Sequence, residues 1–225
     1  MATATFKDLC LDAVAPNVLG PFWAAVLRRT FEPADPATGA GARLLGPTLQ
    51  HTVWINEVPE PKTVKHRVHL DIYAATLAEL IEFGARVIDN EVSDRWTVMA
   101  DPEGGEFCAF LRDEVPAERL HGLVVDCADP RALAHWWGEA FGATVVNHDD
   151  GYSTVQDVEG MPILTMDFVP VPEPKTVKNR IHPDVTVLDV GQLVAIGATV
   201  VREPDADVGW HVMSDPEGNE FCAFS

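Results

Sequence analysis

The sequence predicts an α+β fold present twice in tandem. Copy one spans residues 1–112, a short charged linker spans 113–119, and copy two spans 120–225. Two repeated segments and one repeated order of elements carry this reading. Pro59-Glu60-Pro61-Lys62-Thr63-Val64-Lys65-His66-Arg67-Val68-His69-Leu70-Asp71 matches the segment Pro172 to Asp184 at 10 of 13 positions. Met99 to Phe110 matches Met213 to Phe224 at 10 of 12. A period near 114 residues is too long for a solenoid unit, so whole domains are repeated.

Each copy reads as strand, helix and strands, and then the same again. Leu120 to Cys127 is a short apolar strand. Asp129-Pro130 opens a helix, with Asp as N-cap and Pro in the first turn, where its missing N–H costs nothing. Leu133, Trp136, Trp137, Ala140 and Phe141 recur at helical spacing, and Gly142 suits the end. In copy one Gly20-Pro21 interrupts the matching stretch, so its helix is expected to start later. Strands follow at 52–58 and 163–169, then the strand carrying Arg67 to Tyr73. A second helix is predicted after Thr76 and after Asp189, both in capping-box form. Leu77, Leu80 and Ile81 form its expected buried stripe, and Gly84 or Gly197 ends it. Strands at 86–89, 96–99 and 106–110 complete the copy, with a type I turn at Asp101-Pro102-Glu103-Gly104. Each copy is thus a pair of βαβββ modules.

Composition narrows the function. The net charge is −19, from 35 acidic and 16 basic side chains, and such a surface repels phosphate backbones and anionic lipid. Nucleic acid and membrane are therefore not the expected partners; a small molecule is. No apolar run approaches the roughly 20 residues of a membrane helix, and the first residues do not resemble a signal peptide. Four cysteines without a CxxC pair fit a cytoplasmic protein. No phosphate-binding glycine loop, nucleophile elbow or HExxH is present.

Alternation places Arg67, His69, Asp71 and Tyr73 on one face of a strand, with Val68, Leu70 and Ile72 on the other. Copy two repeats this with Arg180, His182, Asp184 and Thr186. A face of cation, imidazole and carboxylate lines a polar cavity or faces water. Cys108 and Cys222 lie on the final strands, as small buried hydrophobes or, beside an activating neighbour, as ligands or nucleophiles. Trp96 and Trp210 wall a cavity or belong to the core. Lys62, Lys65 and Arg67, with Lys175, Lys178 and Arg180, form a basic run that attracts an anion or is simply solvated. The candidate catalytic residues are His69, Asp71, His182 and Asp184. Candidate ligand-binding residues are these four with Arg67, Trp96, Cys108, Arg180, Trp210 and Cys222.

The strands "KTVKHRVHLD" and "KTVKNRIHPD", the helix that follows, "GARV" or "GATV", and the closing "DPEGxEFCAF" resemble the glyoxalase-like branch of the glyoxalase, bleomycin-resistance and extradiol-dioxygenase (vicinal oxygen chelate) superfamily. The opening "VDCADPRALAHWWGEAFGATV" is similar to it as well. The resemblance implies half-open barrels of paired modules that cup ligand cavities. It also implies, for metal-dependent members, ligands on the first strand of each module and a Glu on the last. Carried over by position, the first-strand places fall near Asp8 and Gly122, with His121 adjacent on the opposite face; the closing place holds Cys108 and Cys222. Pro183 interrupts the second His strand. The expectation is a small-molecule-binding protein with no complete metal site and no cofactor. The alternative is a metal-dependent lyase, isomerase or dioxygenase acting on a small oxygenated substrate through a divalent ion. The copies are expected to associate as an intrachain pseudo-dimer or a homodimer.

Overall fold

The computed structural model describes residues 2–89 and 95–225. Its four modules follow one plan. The first holds β1 (Ala4–Ala13), α1 (Pro16–Leu27), β2 (Thr30–Glu32), β3 (Ala42–Leu45) and β4 (Val53–Glu57). The second holds β5 (Val68–Ala74), α2 (Leu77–Phe83), β6 (Arg86–Asp89), β7 (Thr97–Ala100) and β8 (Glu106–Leu111). Copy two supplies β9 (Leu120–Cys127), α3 (Pro130–Phe141), β10 (Thr144–Asn147), β11 (Ser153–Gln156) and β12 (Thr165–Pro170). It closes with β13 (Ile181–Val187), α4 (Val190–Ala195), β14 (Thr199–Arg202), β15 (His211–Ser214) and β16 (Glu220–Phe224).

The sheets join the copies crosswise. Sheet I runs β14-β15-β16-β13-β1-β4-β3-β2, and sheet II runs β10-β11-β12-β9-β5-β8-β7-β6. Each open eight-stranded sheet therefore takes one module from each copy, through the antiparallel pairs β1–β13 and β5–β9. The chain is an intrachain pseudo-dimer. The core, by contrast, holds the modules of one copy together. Phe22 and Trp23 of α1 lie 6.1 and 5.2 Å from Phe107 of β8, in the other sheet. Trp136 and Trp137 of α3 lie 6.0 and 5.3 Å from Phe221 of β16. Neither sheet can separate without opening that apolar core.

The helices follow their caps, with three departures from expectation. Asp129 accepts from the Ala132 N–H and Gly142 ends α3 in the left-handed conformation. In copy one the helix does not start late: α1 runs from Pro16 through Pro21. Pro21 stands in the second turn, so the one i→i−4 bond to the Asn17 carbonyl is lost without ending the helix, and Pro16 takes the first position. Thr76 caps α2 by accepting from Glu79, but Asp189 accepts from Gly191 and not from Gln192. In the α2 stripe only Leu80 is buried, while Ile81 is 50% exposed, because so short a helix turns one residue per turn into the core.

The DPEG repeat is structural. Asp101 Oδ1 accepts from the Glu103 and Gly105 N–H groups, and the Gly104 N–H closes the turn onto the Asp101 carbonyl. Glu103 then reaches back and accepts from the Val14 and Ala15 N–H groups ahead of α1. Glu217 does the same for Ala128 and Asp129 ahead of α3. A carboxylate here satisfies donors that the helix start leaves unpaired.

Candidate functional site

Both polar clusters lie on the sheet face away from the helices. The apolar residues Val68, Leu70 and Ile72 of β5 point into the core, so alternation turns His69, Asp71 and Tyr73 outward together. Strand register then lines up two cross-strand rows in each sheet. In sheet I, Trp54, Cys10 and His182 form one row, and Asp8, Asp184, Cys222 and Val212 the next. In sheet II the matching rows are Asp167, Val124 and His69, then Gly122, Asp71, Cys108 and Val98. Sheet II thus has Asp167 for Trp54, Val124 for Cys10 and Gly122 for Asp8.

The sheet I cluster is closed in. Cys10, His182, Asp184 and Cys222 are all buried. The Cys10 thiol donates to the Asp184 carboxyl at 3.3 and 3.4 Å. His182 Nδ1 stands 3.9 Å from Cys222 Sγ and 4.0 Å from Asp184 Oδ1, and its Nε2 stands 3.9 Å from Asp12 Oδ1. Trp54 donates its indole N–H to Asp8 at 3.1 Å, and Lys7 Nζ reaches the same carboxylate at 2.7 Å. Burial, with the charges of Cys222 and Asp8 behind it, pushes Asp184 up to about 10. Contact with Cys10, helped by His182, draws Cys222 well below the usual thiol range, while that contact and burial hold the proton on Cys10.

The sheet II cluster has fewer groups. His69 Nε2 lies 3.6 Å from Cys108 Sγ and 3.6 Å from Asp71 Oδ1. Burial pushes Asp71 up to about 8, with the facing Asp167 carboxylate adding to it, and drives His69 down to about 4. Burial likewise raises the Cys108 thiol far above its ordinary value. One Asp71 oxygen is buried without a partner. Asp167 itself accepts from Thr154 at 2.6 Å and from Thr165 at 2.8 Å, and His148 bonds the Thr154 hydroxyl at 2.9 Å. Beside this lies an aromatic wall: Trp96 on Phe110, Phe110 edge-on to His121, and His121 stacked on Tyr73 at 4.0 Å. His121 does not face away from the cluster's side as alternation predicts. A β-bulge between Asp71 and Ile72 shifts the register and turns its ring onto Tyr73.

The other residues singled out in sequence sit apart from the clusters. Arg67 donates to the carbonyls of Asp126 and Glu173, and Arg180 to the Glu60 carbonyl and the Glu103 carboxylate; both brace one copy against the other. Lys62 and the His66 N–H hold Glu106, as Lys175 and the Asn179 N–H hold Glu220. The two most alike segments of the repeat therefore grip each other. Lys65 pairs with Asp126 and Lys178 with Asp12, both at 2.6 Å. The facing basic segments also wall a cavity of about 660 Å³, with Pro61, Lys62 and Val64 across from Pro174, Val177 and Lys178. Trp210 stacks on Phe224 at 5.1 Å, at the sheet I position that matches Trp96.

Sequence reasoning missed Cys10 and Asp167. The alignment of Leu11-Asp12 with Val125-Asp126 puts Cys10 opposite Val124, so the Cys has no counterpart in the repeat to draw attention to it. Asp167 stands where copy one has Trp54, and only the strand register makes the two equivalent.

Two open sheets of paired βαβββ modules, each with a His–Asp–Cys cluster on its far face, define a tandem α+β protein. The glyoxalase-like domain model matches the chain twice, at residues 8–110 and 122–224, and the chain belongs to that family. Glyoxalase I from Zea mays shares the fold at a TM-score of 0.70 and 13% identity, over 98% of this chain and 92% of that one. A putative dioxygenase from Bacillus subtilis matches at 0.62 and 13% identity, over 99% and 86%. The cppA protein from Streptococcus pneumoniae matches at 0.51 and 11%, over 98% of both chains. No curated protein matches the sequence. No helix among the described residues is long and apolar enough to cross a membrane.

The donors fit a divalent metal on geometry. Cys10, His182 and Asp184 present donor atoms all within 4.8 Å of one another, and so do His69, Asp71 and Cys108. Thiolate and imidazole among them suit a borderline-soft ion better than an oxygen-seeking one.

Proposed function

We propose that the chain is a metal-dependent enzyme acting on a small oxygenated compound held against the far face of sheet II. The carrying observation is the sheet II cluster: His69, Asp71 and Cys108 converge, and the fourth place holds Val124, which offers no donor. Three protein donors with one place open is the arrangement of catalytic metal sites. A divalent ion bound there supplies Lewis-acid polarisation of a substrate oxygen. Asp167 adjoins the open place in register with Val124 and is set to take a proton from a substrate bound there. Its two threonine hydroxyls keep it oriented. Tyr73, His121, Phe110 and Trp96 present apolar surface to the substrate body and exclude water. This reading departs from the metal-free expectation because His69, Asp71 and Cys108, all of copy one, bring three donor atoms within 4.8 Å of one another. The four free cysteines support a reducing, cytoplasmic setting.

A metal-free binding protein is the second reading. The observation favouring it is that Cys10 and Asp184 already satisfy each other by hydrogen bonding. Metal analysis of protein purified without a His-tag, combined with a turnover screen of compounds bearing two adjacent oxygens, separates the two. The enzyme reading expects metal-dependent turnover that falls at least about 100-fold in Asp167→Asn, the scale of a lost general base, and disappears in His69→Ala. Ligand binding by metal-stripped protein, unchanged in His69→Ala, supports the second reading and sinks the first.

A further inference from the structure

We propose that the cavity between the two basic segments binds an organic acid, with its carboxylate on Arg67 and its apolar body along the proline and valine walls. The inference goes beyond the proposed function, because no member of either His–Asp–Cys cluster lines this cavity.

Size and walls suit such a ligand. A volume of about 660 Å³ falls among small-molecule sites, which run from roughly 300 to 1,000 Å³. Pro61 and Val64 lie across from Pro174 and Val177, so the repeat builds two like apolar walls. Val64 and Val177 are 41% and 43% exposed, which leaves apolar surface open to the cavity at the same place in both copies.

Charge sets the polar end. Five of the chain's 16 basic side chains line the cavity. Four are neutralised one for one: Lys62 by Glu106, Lys65 by Asp126, Lys178 by Asp12 and Arg180 by Glu103. Arg67 is the exception. Its Nη1 and Nη2 donate to the Glu173 and Asp126 carbonyls, its Nε is buried without an acceptor, and no carboxylate pairs with it among the described residues. Arg180 shows what is missing. Its Nη1 bonds the Glu60 carbonyl in the same way, but its Nη2 holds the Glu103 carboxylate at 3.0 Å. Glu217, the counterpart of Glu103, gives its oxygens to the Ala128 and Asp129 N–H groups and makes no ion pair with Arg67.

A half-buried guanidinium bonded only to neutral carbonyls keeps an unmatched charge, and a carboxylate fits its planar fork. The ligand's carboxylate takes at Arg67 the part that Glu103 takes at Arg180. His66, on the same wall, has both ring nitrogens buried without partners, where Asn179 of copy two bonds Asn219 at 3.0 Å. The copies thus wall the cavity alike in apolar residues and unalike in polar ones. A surface of net charge −19 repels a bare anion, so the apolar body has to contribute to affinity.

The test is titration calorimetry of the full, untagged chain with naphthoate and with decanoate, each beside its neutral primary amide, and with acetate. One of the two acids should bind, one molecule per chain, at least tenfold tighter than its amide and than acetate. Arg67→Gln should abolish the preference for acid over amide. Val64→Asp, which sets a like charge on an exposed part of the wall, should weaken the acid at least tenfold and the amide less; this variant decides if Arg67→Gln does not fold. Binding of neither acid, equal binding of the amide or of acetate, or acid binding unchanged in Val64→Asp overturns the inference. Neither probe carries oxygens on adjacent carbons, so the outcome is independent of the turnover screen for sheet II.

Discussion

Sheets I and II are the same structure built twice, and they differ at three positions that face the same space. Where sheet I has Trp54, Cys10 and Asp8, sheet II has Asp167, Val124 and Gly122. The first set adds a thiol beside His182, an indole tied to a carboxylate, and Lys7 lying 4.2 Å over the Phe224 ring. The second has no donor at the Val124 and Gly122 places and is bordered by a carboxylate and an aromatic wall. A duplicated scaffold can thus vary one far face against the other, because the core residues that make the fold are separate from the far-face residues that make the clusters.

The largest effect tests whether the two halves are equivalent as packing. Phe107 and Phe221 are fully buried under α1 and α3. Phe107→Ala and Phe221→Ala are each expected to cost about 3–5 kcal/mol in urea unfolding. A gap above about 2 kcal/mol between them would show that the helix-side cores are not interchangeable.

A smaller effect separates the clusters by pH. In metal-free protein Asp71 and Asp184 both hold their protons above the ordinary carboxyl range. The folded state therefore binds more protons than the unfolded one, and stability falls as pH rises. For Asp71 this contribution is complete below pH about 4 and lost by about 8; for Asp184 the loss extends to about 10. His66, His69 and His121, kept neutral by burial, act in the opposite sense below pH about 6.5. Cys222, drawn well below the usual thiol range, also opposes the aspartates up to that range, so the window above 6.5 is clean only in a Cys222→Ser background. Asp71→Asn is expected to gain on the order of 2 kcal/mol over wild type at pH 8, and Asp184→Asn to flatten the slope that continues above it. Thermal melts of Cys222→Ser protein across pH 6.5–10 check this, and a curve that rises through the window in that background would contradict both assignments.

The smallest effect concerns the turn that both copies share. Glu103→Ala and Glu217→Ala each unpair two backbone N–H groups, at about 1–2 kcal/mol. Glu103 also carries Arg180, so its loss should cost more than that of Glu217. Equal values from denaturant titration would remove the inter-copy brace from the account.

Much of this was legible in the sequence, for identifiable reasons. The Asp129 cap, the Gly142 end and the Asp101–Gly104 turn depend on local chemistry and formed as read. Alternation alone put His69 and Asp71 on one face because Val68 and Leu70 had to be buried. The late start expected for α1 failed because the helix runs through Pro21 at the loss of a single i→i−4 bond, and the outward His121 failed because a bulge breaks alternation.

The sequence by itself determined the duplication, the module plan and the polar face of the His strands, since each rests on residues close along the chain. The tertiary structure decided which strands meet. Crosswise pairing puts Cys10 beside His182 and Val124 beside His69, partners from different copies. No local pattern encodes that pairing. It follows from the apolar core, which fixes the two modules of each copy back to back and leaves their first strands free to pair only with the other copy.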